Sequence, residues 1–513
     1  MPLRRNILHI VADQHHARML GCVDPQVITP HTDALAADGI RFTNHYTQNP
    51  ICTPSRVCFH SGQYCHNHGY YSLNGPTPAI PSYLHHFRAQ GYRTSAIGKL
   101  HLPNNPRHWL EGACDLLADA FAEKESNGEL TPYGSYLADA GLAGMNDSNH
   151  LKERSGPHHW DARPSDLPLE HCIEAWITKT AIDFIDRQAA DAPFCMHLSY
   201  PRPHHILTPD RRFWDMYPED ITPPETIGFD SAHRPVNFRN MVKYCREELT
   251  WTFEPRTYEA AARRVWRGTL ALATQNDYFF AKLFDHLRRT GRFENTVIVV
   301  TADHGLYHGH YGIMEKAPGI CSDAVCRVPS VWRVPGVNGG RAVDALIEHV
   351  DCPPTFCSLA GLPPMDTVDG VDLSPVLRDE AKSVKEAAVT EWPWSKALRW
   401  KQWRFVHYHR KMYGGEDVGE LYDIEADPWE TRNLYHDPAC QSVVGECRRR
   451  LIEWLTETTR ITTAWPYLSE DWPAFGRRVP FAMGADGREP NTKGPAARLS
   501  RGVERSFDPR DYL

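Results

Sequence analysis

No apolar run in this 513-residue chain is long enough to cross a bilayer, and neither an internal repeat nor a low-complexity tract is present. These absences argue against a helical membrane span and against a solenoid or propeller. Positive charge is also in deficit: 56 lysines and arginines face 64 aspartates and glutamates, leaving a net charge of -8. A broad nucleic-acid surface is therefore not expected, and any positive potential has to be local to a pocket. The 14 cysteines include no Cys-x2-Cys pair, the usual mark of a structural zinc site. Without tight spacing in so long a chain they read as mostly reduced thiols, which fits a cytoplasmic protein. No secretory leader is evident, because an apolar run begins straight after Met1-Pro2-Leu3-Arg4-Arg5.

What is present is a composition that can bury a large core: 41% hydrophobic residues with charges of both signs. The length exceeds a usual single domain, so one large α/β unit plus a smaller one is expected. Residues 1–380 alternate apolar strand runs with amphipathic stretches such as 172–188 and 258–290, the pattern of helices packed on a mainly parallel sheet. Near Asp379 the pattern changes. Short strands at 389–392, 398–408 and 421–423, then a helix over 440–459, describe a small α+β unit with an antiparallel sheet over 381–465. The tail 466–513 is irregular and rich in Pro, Gly and Arg, yet it keeps Trp472, Phe475, Phe481, Phe507 and Tyr512. Those aromatics imply that it packs on the core or on a neighbouring subunit of a homo-oligomer.

Three segments carry the chemistry. The apolar run 6–12 ends in Asp13-Gln14, and the run 296–302 ends in Asp303-His304-Gly305. Both read as buried parallel strands, and the carboxyl ends of such strands are where open α/β sheets bind ligands. A single aspartate there is more simply a turn cap; two of them, with the third segment, point to one shared site. That third segment is Cys52-Thr53-Pro54-Ser55-Arg56, followed by Ser61-Gly62-Gln63 and Gly69. Thr53 suits an N-cap and Pro54 the first helical position, so a helix is expected from there to Gly62 with Cys52 at its N-terminus. That end favours anions, and Arg56, one turn on, adds a guanidinium on a similar face. Lys99 and His101 follow an expected strand at 94–98, with alternate side chains on one face.

In this order the residues resemble the formylglycine-dependent (type I) sulfatases of the alkaline phosphatase superfamily, over most of positions 4 to 460. The resemblance implies an alkaline-phosphatase-like fold in which Cys52 is oxidised to formylglycine (3-oxoalanine) by a maturation enzyme. It implies that Asp13, Gln14, Asp303, His304 and position 52 hold one divalent ion, and that Arg56, Lys99, His101, His204 and Lys316 are catalytic. Pro203-His204 matches the mid-chain histidine, Lys316 the late lysine, and the stretch from Glu420-Leu421-Tyr422-Asp423 to Asn433-Leu434 the C-terminal domain with its four-stranded sheet. Oxygen-rich ligands suit Ca²⁺, Mg²⁺ or Mn²⁺. The commonest pattern has a carboxylate where Gln14 stands and an asparagine where His304 stands, so Mn²⁺ rivals the Ca²⁺ that the family favours.

The expected reaction is hydrolysis of a small-molecule sulfate monoester by the hydrated aldehyde at position 52, with cations prearranged around the sulfuryl oxygens. The resemblance assigns proton donation to Lys316 or His204, and the release of sulfate to a proton accepted by His101. Phosphonate monoester and phosphodiester hydrolases share the Asp-Gln start, the Cys-x-Pro-x-Arg segment and the Asp-His pair; they generally replace the Lys-x-His element that Lys99 and His101 retain here. Choline sulfatases share features too. A non-catalytic anion-binding protein with an unmodified Cys52 is the reading from a different class. Of the nearby histidines His15, His16, His308 and His310, His310 is the preferred substrate contact. Cys52, Cys58, His60, Cys65, His66 and His68 form a dense Cys/His cluster, but without paired spacing zinc is not expected there. The loops between Gly112 and Asp166 and between Asp210 and Arg256 are expected to shape the leaving-group pocket.

Overall fold

The computed structural model describes residues 4–460 except 74, 105–106, 121–127, 146–161, 249–256, 315 and 317–318. The expectation for the tail 466–513 lies outside these residues, as do parts of the two predicted pocket loops. The main sheet has nine strands: β1 (Asn6–Asp13), β2 (Ile40–Tyr46), β3 (Arg93–Gly98), β4 (Leu116–Asp119), β5 (Phe194–Pro203), β6 (Thr296–Ala302), β7 (Arg327–Val328), β8 (Ser330–Arg333) and β9 (Arg341–Glu348). Their order is β4-β3-β5-β1-β6-β8-β2-β7, with β9 also paired to β2. The run from β4 to β6 is parallel throughout, whereas β8 pairs antiparallel with both β6 and β2. Every residue of β1 and β6 is buried, as expected for central strands covered on both faces.

Register does the positioning. Ala12 lies opposite Ala302, so Asp13 and the following Asp303 leave neighbouring strands side by side. Asp13 is also level with Pro203 of β5, and Gly98 of β3 with Ser199. Four strand ends therefore deliver Asp13, Asp303, His204 and Lys99 to one edge.

The faces are covered by helices Ile173–Asp186 and Tyr258–Arg289 on one side and Cys52–Ser61 and Cys352–Ala360 on the other. All ten residues of Cys52–Ser61 are buried. This helix starts one residue before its expected cap. Ile51 is the N-cap and Cys52 already helical, with the Ser55 amide bonded to the Ile51 carbonyl. Thr53 does not cap because its hydroxyl donates to the carbonyls of His101 and Leu73. The helix ends at Gly62 in the left-handed region (φ 72°), where a Cβ would lie 2.7 Å from Val368 Cγ1.

A second, antiparallel sheet comprises β10 (Ala387–Glu391), β11 (Ser395–Trp400), β12 (Trp403–Tyr408) and β13 (Gly419–Asp423), with helix Gln441–Thr458 packed on it. The single strand expected over 398–408 is two strands of a hairpin. Lys401 takes a positive φ of 49° at the turn and Trp400 faces Trp403 across it, so the chain reverses at Lys401-Gln402 with no Gly or Asn there to mark the turn.

Glu391, at the end of β10, ties this sheet to the segment after the Cys52 helix. Its carboxylate accepts from the His66 amide and ring, from Tyr71 and from Lys396. Burial alone would raise the Glu391 carboxyl, but Lys396 and His66 overcome it and hold it at about 2. A carboxyl depressed from its ordinary value contributes stability that is complete above about pH 4.5 and disappears as pH falls toward about 2. Glu391→Gln is expected to flatten the pH dependence of unfolding free energy in that window by about 3 kcal/mol, read from denaturant titrations at successive pH values.

Candidate active site

The centre of the site is a buried lattice of opposite charges. Arg56 donates from Nε to Asp303 Oδ2 (3.0 Å) and from Nη2 to Asp13 Oδ2 (2.9 Å), while Nη1 donates to Ser199 Oγ (2.7 Å). Lys99 Nζ lies 2.6 Å from Asp13 Oδ2, and all four of these charged side chains are at most 1% exposed. Gly98 makes the Lys99 position possible: its φ is +100° and a Cβ would lie 2.1 Å from the Ser199 carbonyl oxygen. Asp303 Oδ1 accepts from the amides of Gln14 and His304 (3.0 and 2.9 Å). The oxygens that bind Arg56 and the amides are thereby fixed, and Asp13 Oδ1 faces Cys52 Sγ at 3.9 Å.

Asp13, Cys52, Asp303 and His304 each offer a ligand atom within 4.8 Å of the others. His304 donates from Nδ1 to the Gly305 carbonyl (2.8 Å), which turns Nε2 toward Cys52 Sγ at 3.3 Å. This is the second contact that orients a metal-ligating imidazole. Two carboxylates, an imidazole and position 52 converging from three segments fit a small divalent cation of the oxygen-preferring class. Gln14, at a positive φ of 61°, accepts at Oε1 from Lys316 Nζ (3.2 Å) and places Nε2 against His308 Nε2 (3.1 Å).

The far wall is cationic and proton-handling. His204 is held by its amide on the Asp13 carbonyl (3.1 Å) and by Nδ1 donating to the His205 carbonyl (2.8 Å), so Nε2 meets Lys316 Nζ at 3.1 Å. Burial, then Lys99 and Lys316, keep His204 well below its ordinary value and neutral. Burial and Asp13 push the Cys52 thiol up, but Lys316, Lys99 and His304 together outweigh them and leave it well below the usual thiol range. Burial likewise raises Asp13, and Lys99 and Arg56 bring it far down. Position 52 thus sits where negative charge is strongly favoured. His101 anchors the helix start through its carbonyl, while its buried Nδ1 has no hydrogen-bond partner among the described residues.

His310 is not in this cluster. Its ring is stacked between His16 (4.9 Å) and Trp429 (5.3 Å), with Nδ1 against Thr226 Oγ1. The histidine that touches Gln14 is His308, braced by Thr269 Oγ1 at 2.7 Å. Neither His308 nor Ser199 is distinguished by motif or spacing; Ser199 was accessible only through recognising β5 as the neighbour of β1. Of the Cys/His cluster, Cys52 alone belongs to this site. His60 stacks on Tyr83, His66 pairs with Glu391, and Cys58, Cys65 and His68 gather elsewhere.

Comparison with known proteins agrees with this geometry. The sulfatase family model matches residues 5–362, and a model described as N-sulphoglucosamine sulphohydrolase, C-terminal, matches 309–457. An N-acetylglucosamine-6-O-sulfatase of Bacteroides thetaiotaomicron is 24% identical, over 89% of this chain and 86% of its own. A structure solved in complex with D-glucosamine-2-N,6-O-disulfate has a TM-score of 0.69 at 21% identity, over 89% of this chain and 98% of its own. The phosphonate monoester hydrolase of Agrobacterium radiobacter has a TM-score of 0.75 at 22% identity, over 91% and 99%. The chain belongs to the sulfatase family, hydrolases of sulfuric ester bonds within the alkaline phosphatase superfamily.

Arg56→Ala strands two buried carboxylates and is expected to cost about 3–5 kcal/mol in denaturant unfolding. Arg56→Lys keeps the charge but loses the fork, so turnover should fall on the order of 10²-fold with a smaller loss of stability.

Proposed function

We propose that this protein hydrolyses sulfate monoesters through formylglycine made from Cys52, beside one divalent ion held by Asp13, Gln14, Asp303 and His304. The observation that carries this is the convergence of Asp13, Cys52, Asp303 and His304 in one buried group, walled by Arg56, Lys99 and Lys316. Ca²⁺ is the first candidate by family, with Mn²⁺ and Mg²⁺ as alternatives given Gln14 and His304. Such an ion would polarise the sulfuryl oxygens and acidify a hydroxyl at position 52. Formylglycine, hydrated, supplies an oxygen nucleophile and a second hydroxyl from which sulfate can be expelled, a route that a serine lacks. Its formation requires a maturation enzyme as partner.

The chain's own residues supply the rest. Lys99 and Lys316 hold the peripheral oxygens of the sulfuryl group, cations fixed before the substrate arrives. Arg56 keeps Asp13 and Asp303 oriented and adds its charge beneath position 52. Lys316 Nζ and His204 Nε2, 3.1 Å apart, form the proton-donating pair for the departing alcohol. His101, beside the helix start and with no partner for Nδ1 among the described residues, is the acceptor for the proton lost when sulfate leaves. His204→Ala should therefore slow substrates with poor leaving groups far more than activated aryl sulfates, by an order of magnitude or more. Equal losses for both substrate types would remove His204 from that role.

A mass spectrum of the tryptic peptide 42–56, from protein made alongside its maturation machinery, tests the modification. The expected change is CH2SH to CHO at Cys52; an unmodified thiol in active protein refutes the formylglycine reading. Turnover of an aryl sulfate, choline sulfate, a sulfated sugar and a phosphonate monoester, run side by side, should favour a sulfate ester.

A further inference from the structure

A second sulfur-containing cluster lies at the other end of the Cys52 helix. Cys58 Sγ is 3.5 Å from Cys65 Sγ and 3.2 Å from His68 Nε2, and all three residues are buried. Three ligand atoms within 4.8 Å invite a metal, but the ring of His68 argues against one. The Tyr70 amide donates to His68 Nδ1 (3.1 Å), so Nδ1 has no proton and Nε2 carries it toward Cys58 Sγ. A metal ion on Nε2 would need an imidazolate, the reverse of the usual arrangement in which the second ring nitrogen donates. A fourth protein ligand is also missing among the described residues. The nearby Glu391 has both oxygens engaged by His66, Tyr71 and Lys396.

We propose that Cys58 and Cys65 are a disulfide-forming pair, closed by a small-molecule disulfide such as oxidised glutathione and otherwise held as a dithiol hydrogen-bonded to His68. The Cys58 thiolate attacks one sulfur of the oxidant and releases one thiol. The Cys65 thiolate then attacks the Cys58 sulfur of the mixed disulfide and releases the second. Two protein thiols are oxidised, one small disulfide is reduced to two thiols, and the two protein protons leave with them. In the folded protein burial pushes both thiols up, with Cys58 adding to the rise at Cys65 and the contact from Cys65 only partly offsetting it at Cys58, so exchange requires local opening around the pair. The bond would brace the helix bearing Cys52 against the segment whose Asn67 side chain donates to the Thr458 carbonyl (2.8 Å) and accepts from the Arg460 amide (3.0 Å).

The test uses the full chain, equilibrated just below its unfolding midpoint in glutathione buffers from fully reduced to fully oxidised, then denatured in iodoacetamide and digested with trypsin. Peptide 57–88 contains Cys58 and Cys65 and no other cysteine, and Cys52 lies on 42–56, so the two chemistries are read separately. The expected result is a 57–88 peptide lighter than its dithiol form by about 2 Da and carrying no alkyl group in oxidising buffer, reversed by reductant, with a higher Tm. Double alkylation in every buffer, or cross-links only to other cysteines, overturns the proposal. So does a stoichiometric metal ion that shields both thiols and is lost in Cys58→Ser.

Discussion

The arrangement depends on one guanidinium. Arg56 spans Asp13 and Asp303 at the ends of adjacent parallel strands, entirely out of solvent. Two carboxylates that close would repel each other and take up protons without it. Although burial raises Asp13, Lys99 and then Arg56 bring it far down, and its Oδ1 faces Cys52 Sγ. The bridge also docks the Cys52 helix, since Arg56 is its fifth residue and the helix N-terminus must sit at the sheet edge for the guanidinium to reach both strands.

Much of this was legible in the sequence because the chemistry-bearing residues stand at the ends of regular elements. The run to Asp13 and the run to Asp303 could be read as buried strands, and their pairing follows from the fold class. Helices 172–188 and 258–290 were found to within two residues, at Ile173–Asp186 and Tyr258–Arg289. The misses occur where tertiary contacts override local preference. Thr53 has the chemistry of a cap but spends its hydroxyl on two distant carbonyls. The hairpin at Lys401 lacks the Gly or Asn that usually marks such a turn. His308 and His310 are indistinguishable by position, and only the left-handed backbone at His308, Gly309 and Tyr311 decides which ring meets Gln14 and which stacks on Trp429.

The second sheet is wired into the catalytic edge rather than appended to it. Glu430 accepts from the Asp323 amide at 3.0 Å and Arg234 pairs with Glu420 at 2.6 Å, in a buried network that also includes Arg404. Trp429, the preceding residue, closes the ring stack on His310 and His16, three residues beyond Asp13. The smaller sheet therefore helps fix the loop that follows Asp303-His304.

The most direct test of the central claim is a crystal structure of the matured protein grown with Ca²⁺ or Mn²⁺, with anomalous differences locating the ion. A single peak touching Asp13, Asp303, His304 and an oxygen at position 52, with Arg56 still bridging the two aspartates, is the predicted result. An ion bound elsewhere, or Asp13 and Asp303 splayed apart around an unmodified sulfur, would contradict it.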